Sequence, residues 1–269
     1  MMGTVVSIDV RTPLPPPALD AAIETAVAVL HQADEDFSTF RPESWVSRLR
    51  RGEVDLADCP EHVREVYRLA GRCRDATGGW FDPAWRRDGT LDPTGLVKGW
   101  AADAASAALI EAGAPDHCVN AAGDLRIRGA AGPSAEGSSA EGSGSGKPWR
   151  IGIVDPFDRG GLVAVVEGTD LAVATSGIAE RGSHVVDPST GVPASGLASV
   201  TVVGSDLTVA DAYATAALAA GSDTGDLLAE FTRAGWAWLT VTTTGRIRAG
   251  KAFPGQLAAG RQQLGMPAL

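Results

Sequence analysis

The chain has 269 residues, 44% of them hydrophobic and 21% charged, a globular composition that excludes a disordered or fibrous protein. Twenty-three basic residues against 33 acidic ones leave a net charge of −10, which argues against sequence-independent binding to phosphate backbones and leaves room for one phosphorylated ligand in a local site. The three cysteines (Cys59, Cys73, Cys118) form neither a closed disulfide framework nor a paired zinc spacing, so they read as reduced thiols of a cytoplasmic protein. No run reaches the ~18 uninterrupted apolar residues of a membrane span, and no basic start followed by a long apolar stretch marks a leader.

In chain order, residues 4–10 alternate as a strand and 13–17 form a proline-rich turn. Residues 19–37 read as a helix with Ile23, Val27, Leu30 and Ala33 on one face, ending in a solvated acidic run at 34–36. Helices follow at 44–49, 61–77 and 96–113, the last two closed by glycine, with a loop at 81–91 between them. The second half changes character. Short strands are predicted at 118–120, 125–128, 149–154, 163–167, 171–175, 185–186, 198–203, 236–242 and 246–249, with helices at 210–220 and 225–234. Strands and helices mixed without a βαβ rhythm predict an α+β fold with mostly antiparallel sheet, in one unit spanning 1–269. Residues 130–147 are low-complexity Gly/Ser sequence, expected to be a flexible surface insertion joining two strands of a hairpin.

Four segments carry candidate chemistry. In Asp92-Pro93-Thr94-Gly95-Leu96-Val97-Lys98-Gly99, a turn enters a helix whose free amides, with Lys98, suit an anion; the plain alternative is a helix entry with a surface lysine. In Asn120-Ala121-Ala122-Gly123-Asp124, a small-residue turn precedes an acid, which is either a ligand approach or an ordinary Gly-Asp turn. Thr175-Ser176-Gly177 is followed by His184-Val185-Val186-Asp187-Pro188, and His184 is the one histidine set among Ser, Arg and Asp, hence the best general-base candidate. Asp211 and Thr215 lie four apart on a helix, two oxygens on one small-residue face that suit Mg²⁺, unless the threonine merely bonds back to its helix.

Together and in this order, with Met2-Gly3-Thr4, Phe37-Ser38-Thr39-Phe40-Arg41-Pro42 and Phe81-Asp82-Pro83, these segments resemble the FAD:protein FMN transferase family, the ApbE-type flavin transferases. The resemblance implies a Mg²⁺-dependent enzyme that splits FAD, passes FMN to a Thr or Ser of an acceptor protein as a phosphoester and releases AMP. It implies Met2, Phe40, Asp92, Lys98, Asp124, Thr175, Ser176 and Val186 at the FAD site. It further implies Gly95, Asp211 and Thr215 as Mg²⁺ ligands, and His184 as the base that deprotonates the acceptor hydroxyl. Two departures stand out. The stretch 83–91 is shorter than usual, so that Trp85 or Trp100 would replace its contacts, and Ala122 stands where a second glycine is usual. FAD hydrolysis to FMN and AMP, or flavin binding without turnover, are the competing expectations.

Overall fold

The structure is a computed structural model that describes residues 4–86, 88–133, 146–178 and 185–257. Its frame is a seven-stranded antiparallel sheet in the order β1 (Val6–Val10), β2 (His117–Ala121), β3 (Asp124–Arg128), β8 (Leu171–Gly177), β9 (Leu197–Gly204), β10 (Ala237–Thr242) and β11 (Ile247–Ala249). A three-stranded sheet of β12 (Gly255–Leu257), β7 (Asp158–Gly168) and β6 (Trp149–Asp155) covers one face, and helices cover the other. The period-two alternation of a strand sorts residues between these layers. On β8, Ala172 and Ala174 join the helical core, whereas Val173 packs with Ile151, Ile153 and Val166 of the second sheet. Being covered on both sides, β9 is buried along nearly its whole length, which accounts for its unbroken Val200-Thr201-Val202-Val203 run.

On the helical side, α1 (Pro16–Phe37), α2 (Trp45–Arg50), α3 (Glu61–Ala76), α4 (Thr94–Glu111), α5 (Leu207–Ala220) and α6 (Gly225–Arg233) follow the predicted positions with shifted ends. The buried face of α1 is Ala22, Ala26, Leu30, Ala33 and Phe37, with Ile23 and Val27 only half-buried, so its core stripe is rotated from the predicted one. Small alanines bring the helix closer to its neighbours than branched side chains would. Helix α5 is buried on nearly every side between α4 and the sheet, which its alanine-rich composition permits. A Cβ on Gly99 of α4 would sit 2.5 Å from the Leu207 carbonyl oxygen, so the two helices touch backbone to side-chain position there.

The structure corrects three expectations. The acidic run at 34–36 is not simply solvated: Asp36 is buried and accepts hydrogen bonds from His62 Nε2 at 2.7 Å and Gln32 Nε2 at 3.0 Å. Residues 185–186 form no strand, only a single bridge between Val186 and Pro193. The hairpin expected across the Gly/Ser segment is confined to β4 (Gly132–Pro133) and β5 (Gly146–Lys147), which pair antiparallel inside it, whereas the longer strands β3 and β6 on either side belong to different sheets. Residues 134–145 of that segment lie outside the described residues. Strand β12 and a short 3₁₀ turn at Leu56–Asp58 had no local signal strong enough to predict them. All three cysteines are free and buried, and among the described residues no helix is long and apolar enough to cross a membrane.

Candidate active site

A cavity of about 320 Å³ opens where the first turns of α4, the middle of α5 and the end of β8 meet. Its walls include Phe40, Asp92, Gly95, Lys98, Thr175, Ser176, Val186, Asp211 and Thr215, nine of the twelve residues singled out from the sequence. Asp124 stands directly behind them, and Met2 and His184 lie outside the described residues.

At the floor, Lys98 Nζ lies 2.6 Å from Asp124 Oδ2, and Asp211 Oδ2 accepts the Gly99 N–H at 3.1 Å. The backbone N–H of Thr175 donates to Asp124 Oδ1 at 2.9 Å, which ties β3 to β8 through the same carboxylate. Burial pushes the Asp211 carboxyl up to about 7, against the opposing pull of Lys98, with the Asp124 charge adding to the rise. Burial raises Asp124 as well, against Lys98. Two buried carboxyls thus face a single ammonium, an arrangement that disfavours charge on both at once. Above them, Ser176 Oγ and Thr215 Oγ1 lie 3.3 Å apart, and Thr175 Oγ1 bonds Thr201 Oγ1 at 2.9 Å.

Asp92, on the cavity wall, is held by contacts within the chain. Its Oδ1 accepts the Thr94 N–H at 3.1 Å and the Thr94 hydroxyl at 2.6 Å, a local turn just ahead of α4, whose N-cap is Pro93. Its Oδ2 meets Arg86 Nε at 3.0 Å and, closer still, Arg50 Nη2. Burial opposes its charge, but the Thr94 hydrogen bonds and the Arg50 and Arg86 guanidinium groups hold its carboxyl below the usual range. Both oxygens are occupied within the chain, so Asp92 orders the wall it lines. Arg50 and Arg86 carried no sequence signal, because an arginine on a short helix or in a loop is ordinary surface chemistry.

The remaining walls are aromatic and apolar. Phe40 is 93% exposed at the mouth, and Trp80, Phe81 and Trp85 line the side. Of the two tryptophans weighed for the shortened 83–91 stretch, Trp85 lines the cavity, whereas Trp100 packs edge-on to Phe37 and stacks on His62. Val186 lies on a turn locked by Asp187, whose Oδ1 accepts the Ser189 N–H and hydroxyl, each at 2.7 Å. Ala122 adopts a left-handed φ of 53°, alone among described non-glycine residues, in the tight turn that leads to Asp124.

The donor set fits a hard divalent cation such as Mg²⁺. It offers carboxylate and hydroxyl oxygens from Asp211, Thr215 and Ser176, and the excess of buried carboxyl over ammonium is the imbalance that a cation corrects. Among the described residues no group of three or more His, Cys, Asp or Glu is placed to hold a metal ion.

The α+β frame thus holds one cavity that joins a lysine, hydroxyls and aromatic walls, with the paired acids at its floor. The sequence model of the ApbE family matches residues 2–88 and 85–238, and the chain belongs to that family. It is 36% identical over 141 residues to the FAD:protein FMN transferase of Rhodobacter capsulatus, covering 49% of this chain and 24% of that protein. It is 31% identical over 150 residues to the FAD:protein FMN transferase of Vibrio cholerae serotype O1, covering 52% of this chain and 41% of that protein. These alignments therefore span about half of this chain and less than half of either relative. The crystal structure of the ApbE protein from Thermotoga maritima superposes with a TM-score of 0.76 at 25% identity, covering 93% of this chain and 94% of the other. The flavin transferase ApbE from Vibrio cholerae shares the fold with a TM-score of 0.71 at 22% identity, covering 96% and 94%.

Proposed function

We propose that the chain transfers FMN from FAD to a Thr or Ser hydroxyl of an acceptor protein, in a Mg²⁺-dependent reaction that releases AMP. The observation that carries this reading is the convergence of Lys98, Asp211, Thr215, Ser176 and Asp92, drawn from three distant stretches of chain, on one cavity in a member of the ApbE family. The acceptor oxygen forms a bond to the FMN-side phosphorus, the pyrophosphate P–O bond breaks, and the electron pair leaves on AMP. Asp211, Thr215 and the Gly95 carbonyl would hold the cation, which when bound neutralises charge on the pyrophosphate. Lys98, anchored by Asp124, sets an ammonium beside the same oxygens as negative charge builds on them. His184 takes the acceptor proton as general base. Asp92 orders the entry to α4; Met2, Phe40 and Asp92 are assigned to the FAD site by the family resemblance, Val186 packs near the flavin nucleotide, and Thr175 and Ser176 present hydroxyls to it.

The test is incubation with FAD, Mg²⁺ and an acceptor segment bearing a candidate hydroxyl, with AMP release and acceptor mass read together. Equal AMP release and FMN gain on the acceptor supports transfer. Free FMN with no gain on any acceptor points to hydrolysis, and FAD binding without AMP to a flavin-binding protein. The H184A variant keeps FAD binding and loses transfer; unchanged turnover overturns the base assignment.

A further inference from the structure

We propose that Trp85, held in place by Arg86, is the platform on which one planar base of the bound dinucleotide stacks; this rests on the FAD reading above. Of the chain's 7 tryptophans, Trp85 combines a place on the cavity wall with 36% exposure. The Arg86 guanidinium carbon lies 4.6 Å from the centroid of the Trp85 ring, covering one face. The same guanidinium is pinned by its Nε to Asp92 Oδ2 at 3.0 Å, and Asp92 is itself buried and saturated by Thr94 and Arg50. The loop is closed at its base, where the Asp92 N–H donates to the Pro83 carbonyl at 2.6 Å, and the Trp85 N–H donates to the Asp82 carbonyl at 3.1 Å. An indole with a cation over one face and a cavity beside it offers the other face to a planar ligand. Because a buried carboxylate and a closed loop already fix the ring, little ordering is left to oppose binding. Adenine and isoalloxazine share the chemistry that such a face selects, a flat conjugated ring system. Arg86 acts through Trp85, as a positioning residue.

The experiment titrates FAD, AMP and FMN separately against the full chain and its W85A, W85F, R86M and W85A/R86M variants, by calorimetry and tryptophan fluorescence. Folding of each variant is checked by circular dichroism. W85A is expected to weaken FAD binding about tenfold, W85F to retain most of the affinity, and the fluorescence quench on ligand addition to shrink in both. R86M is expected to weaken binding less than W85A, and the double variant no more than W85A alone. Whichever of AMP and FMN loses affinity in W85A identifies the stacked base. Wild-type FAD binding with W85A affinity unchanged overturns the platform and leaves the transferase reading standing. Additive losses in the double variant overturn the positioning role of Arg86. Failure of the wild-type chain to bind FAD, AMP or FMN overturns both readings.

Discussion

Asp211 Oδ2 accepts the Gly99 backbone N–H at 3.1 Å, so the acid on α5 is fixed to the helix that carries Lys98. That bond needs the two helices closer than any side chain at position 99 allows. A Cβ there would lie 2.5 Å from the Leu207 carbonyl oxygen and 3.0 Å from Asp211 Cβ. Gly99→Ala is therefore expected to destabilise the fold by about 1–3 kcal/mol through overpacking and to depress AMP release by displacing Asp211. Urea midpoints and a turnover assay check the two effects; unchanged values in both would show that the helices separate freely.

Asp211→Asn keeps an acceptor for the Gly99 N–H and removes one of two buried carboxyls facing one ammonium. Metal-free stability should hold or rise, because a desolvated acid beside Asp124 is gone. Activity should fall by about 100-fold or more and lose its response to Mg²⁺ concentration, as expected when a cation ligand is lost. Thermal melts with and without Mg²⁺, alongside AMP release, measure this pair of opposite responses.

His117 is completely buried, with Nδ1 2.7 Å from the Ala114 carbonyl and Nε2 2.7 Å from Ser106 Oγ. Facing a carbonyl, Nδ1 donates, so Nε2 accepts from the serine and the ring is neutral. Burial lowers its pKa from the ordinary 6.5, despite the hydrogen bond to Ala114. The unfolded chain then binds a proton that the folded chain refuses. Stability contributed by this group is full above pH 6.5 and declines as pH falls from there toward the folded pKa. Denaturant titrations across that range should show the decline in the wild type and its loss in H117N.

Ala122 holds a φ of 53° in the turn between β2 and β3, directly before Gly123 with a φ of 96°. An L-residue with a Cβ is strained there by roughly 1 kcal/mol, and glycine is not. Ala122→Gly is expected to raise stability by about that amount, less the added freedom of the unfolded chain. A lowered melting temperature would mean that the alanine methyl packs favourably enough to outweigh the strain.

Much of the fold was legible because local rules operate locally. Alternating residues at 6–10 and 149–155 and glycine after α3 each announce an element through its own geometry, whereas the prolines read as a turn at 13–17 in fact open α1 at Pro16. The buried stripe of α1 was misplaced because periodicity ranks Ile and Val above Ala. Close helix packing prefers the smaller residue. Residues 185–186 looked like a strand by composition, yet the turn around Asp187 satisfies its own backbone and leaves one bridge.

By itself the sequence determined an acidic α+β chain whose Asp92-to-Gly99, Asn120-to-Asp124, Thr175-Ser176-Gly177 and Asp211-to-Thr215 segments run in the order of one family. Each of those segments allows an ordinary structural reading, since residues that share a local pattern carry no record of what stands opposite them. Only the tertiary structure decided that Lys98 meets Asp124 and that Asp211 meets Gly99. It also decided that Asp92 spends its carboxylate on Thr94, Arg50 and Arg86, and that Trp85, not Trp100, faces the cavity. The reason is physical: these contacts join residues from different elements, and their partners are set by how sheet and helices pack, not by the spacing of side chains along one of them.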